Sequence, residues 1–258
     1  MLTTALAVAP AEADHAGPQP GPINASNTYG WYPKKWDYHW ETEHSDFQAW
    51  DRAATGTAWS YMRWGMIVLD SSVDRYAYPS RGSVKATLHR RGERYGRWEF
   101  RVRAPVWYNA GRNYRVFAEL VPADPKKRDC GARTIAMASF VAGGSQVRVF
   151  ARNAGKQWTF IKRGMNLDRA SWHTYAVEVT PRRISWFIDA HVVATLRNRE
   201  AVSDVRLTPR LRLSGVPGAS MDRVRIGVDW LRFFTLASPN DLPVRAPAPT
   251  AAAYRRGC

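Results

Sequence analysis

One carboxylate and a set of guanidiniums at alternating positions are the residues of this chain most able to do chemistry. In "NYRVFAELVP" (Asn113–Pro122), Arg115 and Glu119 have the same parity, so on an extended strand they project from one side. In "QVRVFAR" (Gln146–Arg152), Arg148, Phe150 and Arg152 also share a side. Arginine forks bind carboxylates and sulfates through two-point contacts, and an aromatic ring beside them offers a flat apolar surface. Glu119 alone could move a proton, but reactions that need two carboxylates are closed to it. Between these segments lies "CGARTIAMASF" (Cys130–Phe140), which alternates like a strand and carries no acid at all.

Positioning such residues requires strands, and strands dominate the chain. "SVKATLHRR", "GRWEFRVRAP", "WHTYAVEVTP", "RISWFIDAHVVATL", "PRLRLSGVPG" and "RVRIGVDWLRFFTL" are all short, period-two and bounded by Gly, Pro, Asn or Asp. No segment gives an amphipathic helix longer than a turn or two. One domain of many antiparallel strands predicts an all-β sandwich or jelly roll. Hydrophobic residues make up 45% of the 258, enough for a real core.

Three blocks sharpen this reading: "YGRWEFRVRAP" (Tyr95–Pro105), "WHTYAVEVTPRRISWFIDAHVVAT" (Trp172–Thr195) and "IGVDWLRFF" (Ile226–Phe234). In content, order and spacing they resemble family 16 of the glycoside hydrolases, over roughly residues 35–238. The resemblance implies a concanavalin A-like antiparallel jelly roll and retaining cleavage of β-glucans or galactans. These blocks carry scaffold: Trp172, Tyr175 and Val177 are expected in the core, as are Ile184, Trp186 and Ile188, with a turn beginning at Asp189-Ala190.

The family's chemistry sits on one strand, in a motif of the form E-x-D-x-(x)-E. Two carboxylates about 5–5.5 Å apart flank the glycosidic bond, one as nucleophile and one as acid/base. Laid on that motif, Thr134 takes the nucleophile position, Ala136 that of the helper Asp, and Ser139 that of the acid/base; Ala138 takes the last in the form without a bulge. The strand pattern survives and every carboxylate is gone. Glu119 is the nearby acid, standing where a cleft Trp often sits. The acids of "WETEHSDF" (Glu41, Glu43, Asp46) are better explained as solvated groups on an edge segment.

The net charge of +16 favours polyanionic partners, although an Arg- and Ala-rich composition also accounts for part of it. An apolar run from Leu2 to Ala9, followed by Ala11-Glu12-Ala13, resembles the end of an export signal, though no Lys or Arg precedes it. The organisation expected is a signal-like segment 1–13, a linker 14–28, a jelly roll 29–242 and a Pro/Ala-rich tail 243–258. Cys130 and Cys258 leave pairing open. The six His show no ligand spacing, so no metal site is expected beyond a weak signal for structural Ca²⁺ near Asp229.

The expected function is therefore that of a secreted or cell-wall-associated monomer. It would bind polysaccharide, anionic polymers included, in a basic groove lined by Arg115, Glu119, Arg148, Phe150 and Arg152, with no nucleic acid partner and no membrane span. Two enzymatic readings stand beside it. One is a retaining glycoside hydrolase with displaced carboxylates. The other is a polysaccharide lyase, for which Arg148, Arg152, Tyr114 and His191 supply the residue types.

Overall fold

Alternating runs become strands wherever one side of the run can be buried, and here two antiparallel sheets bury against each other. The computed structural model describes residues 23–40, 47–74, 79–89, 91–108, 112–128, 133–153, 155–167, 171–202 and 205–254. In chain order the strands are β1 (Lys34–Tyr38), β2 (Trp50–Ala54), β3 (Trp59–Arg63), β4 (Met66–Asp70), β5 (Ser83–Leu88) and β6 (Gly96–Arg103). They continue with β7 (Val106–Tyr108), β8 (Arg115–Pro122), β9 (Thr134–Val141), β10 (Gln146–Asn153), β11 (Lys156–Arg163) and β12 (His173–Val179). The last are β13 (Ile184–Ile188), β14 (His191–Leu196), β15 (Leu207–Ser214), β16 (Arg223–Phe234) and β17 (Thr250–Ala253).

One sheet has nine strands, in the order β14-β13-β12-β6-β16-β4-β3 with β1 and β7 also on β16; the other has eight, β17-β11-β10-β9-β8-β15-β5-β2. This is the expected all-β jelly-roll sandwich. Inward residues of both sheets form one core, including Trp98, Phe100, Leu120, Ile135, Val177 and Trp186. Each such side chain contributes roughly 1.5–3 kcal/mol on burial. Asp189 and Ala190, at φ 48° and 64°, make the tight turn between β13 and β14 where the sequence placed one.

Three expectations change. The described end of the 14–28 linker is not loose: Asn24 caps a helical turn, α1 (Ala25–Thr28), and Tyr29 and Trp31 pack on Phe187 and Phe234 across the outer face of the nine-stranded sheet. The Pro/Ala-rich tail also joins the fold, because β17 pairs with β11 and Thr195 donates to the Val244 carbonyl at 2.9 Å. Strand pairing needs backbone groups rather than large side chains, which is why an Ala/Thr run could read as a linker. Trp172 lies outside the core: the guanidiniums of Arg101 and Arg103 sit 4.8 and 4.6 Å from its ring. Cys130, Cys258, Glu41, Glu43 and Asp46 lie outside the described residues.

Candidate functional site

The outward face of the eight-stranded sheet gathers the residues singled out from sequence. A β-bulge decides which residues of β9 face out. Ala118 pairs with Ala138, and Glu119 pairs with Ala136, so Met137 is an extra residue on β9. The same irregularity recurs against β10, where Arg148 pairs with Ser139 and Phe150 with Ala136. Met137 and Ala138 therefore both enter the core, while Thr134, Ala136 and Ser139 stay on the outward side. The Ala136 carbonyl turns inward and accepts from the fully buried Trp186 Nε1 at 3.0 Å, which ties the bulge to the opposite sheet. Ser139, and not Ala138, thus shares the outward side with Thr134 and Ala136.

Cross-strand registers then define two rows. Arg210, Glu119, Ala136, Phe150 and Thr159 form one; Arg212, Phe117, Ser139, Arg148 and Ile161 form the next. Arg152 pairs with Thr134 and Gln157, on the flank of the first row. Arg115, on β8, continues the outward side past Phe117.

Glu119 is 2% exposed and is held by two guanidiniums, Arg210 Nε at 2.8 Å and Arg212 Nε at 3.4 Å. Arg212 in turn lies 3.8 Å above the Phe117 ring. Arg152 sits 3.7 Å over Tyr254 and grips Gln157 Oε1 through Nε and Nη2 at 3.1 and 2.7 Å. Sequence reading missed Arg210 and Arg212. Their period-two spacing in "PRLRLSGVPG" was visible, but their meeting with Glu119 depends on β15 pairing with β8, some ninety positions away in the chain.

The face is electropositive beyond what Glu119 can offset. The Arg115 guanidinium is pushed down by burial and by the charges of Arg148 and Arg212. The Arg152 guanidinium is also pushed down, first by burial; Tyr254 and Glu119 oppose this, and Arg212 and Arg210 add to it. Among the described residues, neither Arg115 nor Arg148 forms an ion pair with a carboxylate. Both line a cleft of about 260 Å³ with Ser139, Gly144, Gln146 and Ile161.

Retaining cleavage requires a second carboxylate about 5–5.5 Å from the first. Around Glu119, the outward positions beside it and diagonal to it on β8, β9 and β15 hold Phe117, Val121, Thr134, Ala136, Ser139, Thr208, Arg210 and Arg212, with no acid among them. In the same row, Asp51 follows Thr87 three strands away, about 14 Å at the usual strand spacing. Ser139 has Phe117 and Arg148 as cross-strand neighbours, neither of which can act as a general base toward its hydroxyl. The set considered for a lyase is not assembled either: Tyr114 is buried in the core between the sheets, and His191 opens β14 in the other sheet. Near Asp229 the carboxylate faces Arg101 Nη1 at 2.6 Å, with Arg103 close by, a cationic setting that does not suit Ca²⁺.

The model for glycosyl hydrolases family 16 matches residues 80–231, more than half of the chain. The chain belongs to this family. No curated protein sequence matches it. Among solved structures of family 16-like folds, the laminarinase catalytic domain from Thermotoga maritima aligns with a TM-score of 0.65 at 13% identity, covering 81% of this chain and 99% of that one. The laminarinase from Rhodothermus marinus aligns with a TM-score of 0.60 at 17% identity, covering 78% and 96%. The GlcNAcα1-4Gal-releasing endo-β-galactosidase from Clostridium perfringens gives 0.60 at 13% identity, covering 84% and 65%. At these identities the likeness is one of fold, and the names differ in activity, so the fold alone does not fix a substrate. The family match spans β8, β9 and β10, and hence the strand on which this family 16 member carries Thr134, Ala136 and Ser139.

Proposed function

We propose that this family 16 member is an exported protein that holds an acidic polysaccharide on the outward face of its eight-stranded sheet and does not cleave it. The observation that carries the reading is the setting of Glu119, between Arg210 and Arg212, with Arg115, Arg148 and Arg152 on the same face. Guanidiniums repelling one another on a half-buried surface gain from a bound carboxylate or sulfate, and the partly exposed ring of Phe117 lies among them; Phe150, expected to line the groove, is instead buried at 4% exposure. A glycosidic bond placed here would meet one acid, already ion-paired, and no partner carboxylate among the described residues.

The test is incubation of the purified protein with β-glucan, galactan, sulfated galactan and polygalacturonate, followed by assay of new reducing ends and of ultraviolet-absorbing unsaturated ends. Neither should accumulate. Reducing ends that are lost in Glu119→Gln would make Glu119 a catalytic acid and replace this reading by that of a hydrolase.

A further inference from the structure

A second site lies on the opposite side of the molecule, where α1 and its flanking aromatics leave the nine-stranded sheet uncovered. There a pocket of about 280 Å³ is lined by Tyr61, Trp64, Arg103, Trp107, Arg225 and Gly227, among others. Its floor is a cross-strand row in which Gly227 pairs with Arg103 on one side and Val68 on the other, with Tyr61 beyond. Glycine keeps that floor open: a Cβ at position 227 would stand 3.1 Å from Met66 Sδ and 3.7 Å from Arg103 Nε.

Two indoles form the rim and remain in solvent, Trp64 at 69% exposure and Trp107 at 49%. Trp64 sits in the two-residue turn between β3 and β4, at φ 51°, followed by Gly65 at φ 64°. Such turns favour Asn, Asp or Gly; a tryptophan there holds an unfavourable backbone in order to present an indole to water. Burial offers little reason for that choice, because Trp64 is 69% exposed.

The charges are as one-sided as on the other face. Arg225 is paired with Asp70 at 2.8 Å, and its guanidinium lies 5.6 Å from the Trp107 ring. Arg63 lies 3.9 Å over the Trp64 ring, with no carboxylate partner among the described residues. Arg103 also has no carboxylate partner among them. Burial pushes its guanidinium down; Asp229 opposes this, and the charges of Arg101 and Arg225 add to it.

We propose that this pocket binds one anionic sugar unit of a glycan chain, with its carboxylate or sulfate on Arg103 and its ring face on Trp64 or Trp107. The site is independent of the face that carries Glu119. It would let the protein hold two chains, or one chain at two places, on opposite sides of the sandwich.

The experiment titrates the full chain with tetragalacturonate, with a sulfated galactan tetrasaccharide and with neutral laminaritetraose. Affinity is read by calorimetry, and the indole N–H signals of Trp64 and Trp107 by NMR. At least one anionic probe should move both signals, and whichever does so names the charged group. Arg103→Gln should weaken that binding about tenfold or more, and Trp64→Asn about fivefold. Trp64→Asn suits the turn, so its unfolding midpoint should not fall, which separates lost binding from lost folding. Arg148→Gln/Arg152→Gln, on the other face, should leave the two indole signals responsive. The proposal is overturned if neither anionic probe moves these signals, if laminaritetraose moves them at equal affinity, or if Arg103→Gln and Trp64→Asn both bind like the parent. In that last case binding lost only in the Arg148/Arg152 variant would leave the other face's reading intact.

Discussion

Glu119 and Glu99 are both buried glutamates on outward faces, one on each sheet, and they differ in what surrounds them. Glu119 lies between two guanidiniums, at 2.8 and 3.4 Å. Glu99 is fully buried under the N-terminal segment, where its Oε1 accepts from the backbone N–H groups of Ala25 at 2.5 Å and Ser26 at 3.3 Å. Burial pushes Glu99 up to about 7, opposed first by hydrogen bonding from the Ser26 side chain, then by the two backbone N–H groups and by Arg232. The contrast assigns different roles to similar residues. Glu99 fastens a segment, whereas Glu119 organises a cationic surface that is otherwise open to an anion.

Removing one member of the Glu119 cluster should have the largest effect on stability. Arg210→Ala leaves a buried carboxylate with the more distant Arg212, and is expected to cost about 3 kcal/mol in urea unfolding. The double variant Glu119→Ala/Arg210→Ala should cost less than Arg210→Ala alone. If instead the two costs simply add, the guanidinium is not compensating the acid.

Glu99 gives a comparable effect with a distinct pH signature. Its folded pKa lies above the ordinary value of 4.5, so the folded protein holds the proton more tightly than the unfolded chain. That contribution to stability is complete below pH 4.5, declines as the pH rises, and is lost above about 7. The decline amounts to about 3 kcal/mol. Glu99→Gln should flatten this slope in unfolding curves measured from pH 4.5 to 8, whereas Glu119→Gln should leave it in place. A slope unchanged in Glu99→Gln would remove Glu99 as its source.

Trp186→Phe tests the bulge that sorts β9. The smaller phenyl ring leaves a gap at this fully buried site and the Ala136 carbonyl loses its donor, so about 2 kcal/mol is expected. A smaller loss would mean that the carbonyl finds another partner. The smallest effect on stability belongs to Arg115→Gln/Arg148→Gln, exposed positions where unfolding should shift by less than about 0.5 kcal/mol.

Much of this was legible in sequence. The alternation of "NYRVFAELVP" and "QVRVFAR" put Arg115, Glu119, Arg148, Phe150 and Arg152 on one side, and the registers bring those sides together. The spacing of Thr134, Ala136 and Ser139 fits the bulged strand because a bulge restores parity after one extra residue. What was not legible depends on contacts between distant segments. Arg210 meets Glu119 only through the pairing of β8 with β15. The Trp64 pocket draws on β3, β4, β6, β7 and β16, no two of its key residues standing in one recognisable pattern. The tail strand was hidden by composition, since Thr250–Ala253 enters the sheet through its backbone.

The central claim is that the Glu119 face holds an anionic glycan through its guanidiniums. Its most direct test is the affinity of wild type and Arg115→Gln/Arg148→Gln for polygalacturonate and a sulfated galactan across a salt series, with laminarin as the neutral control. The account predicts binding of at least one anionic polymer that weakens steadily with salt, about a tenfold loss in the double variant, and little binding of laminarin. Binding that is indifferent to salt, equal for laminarin, or unchanged in the double variant would contradict it.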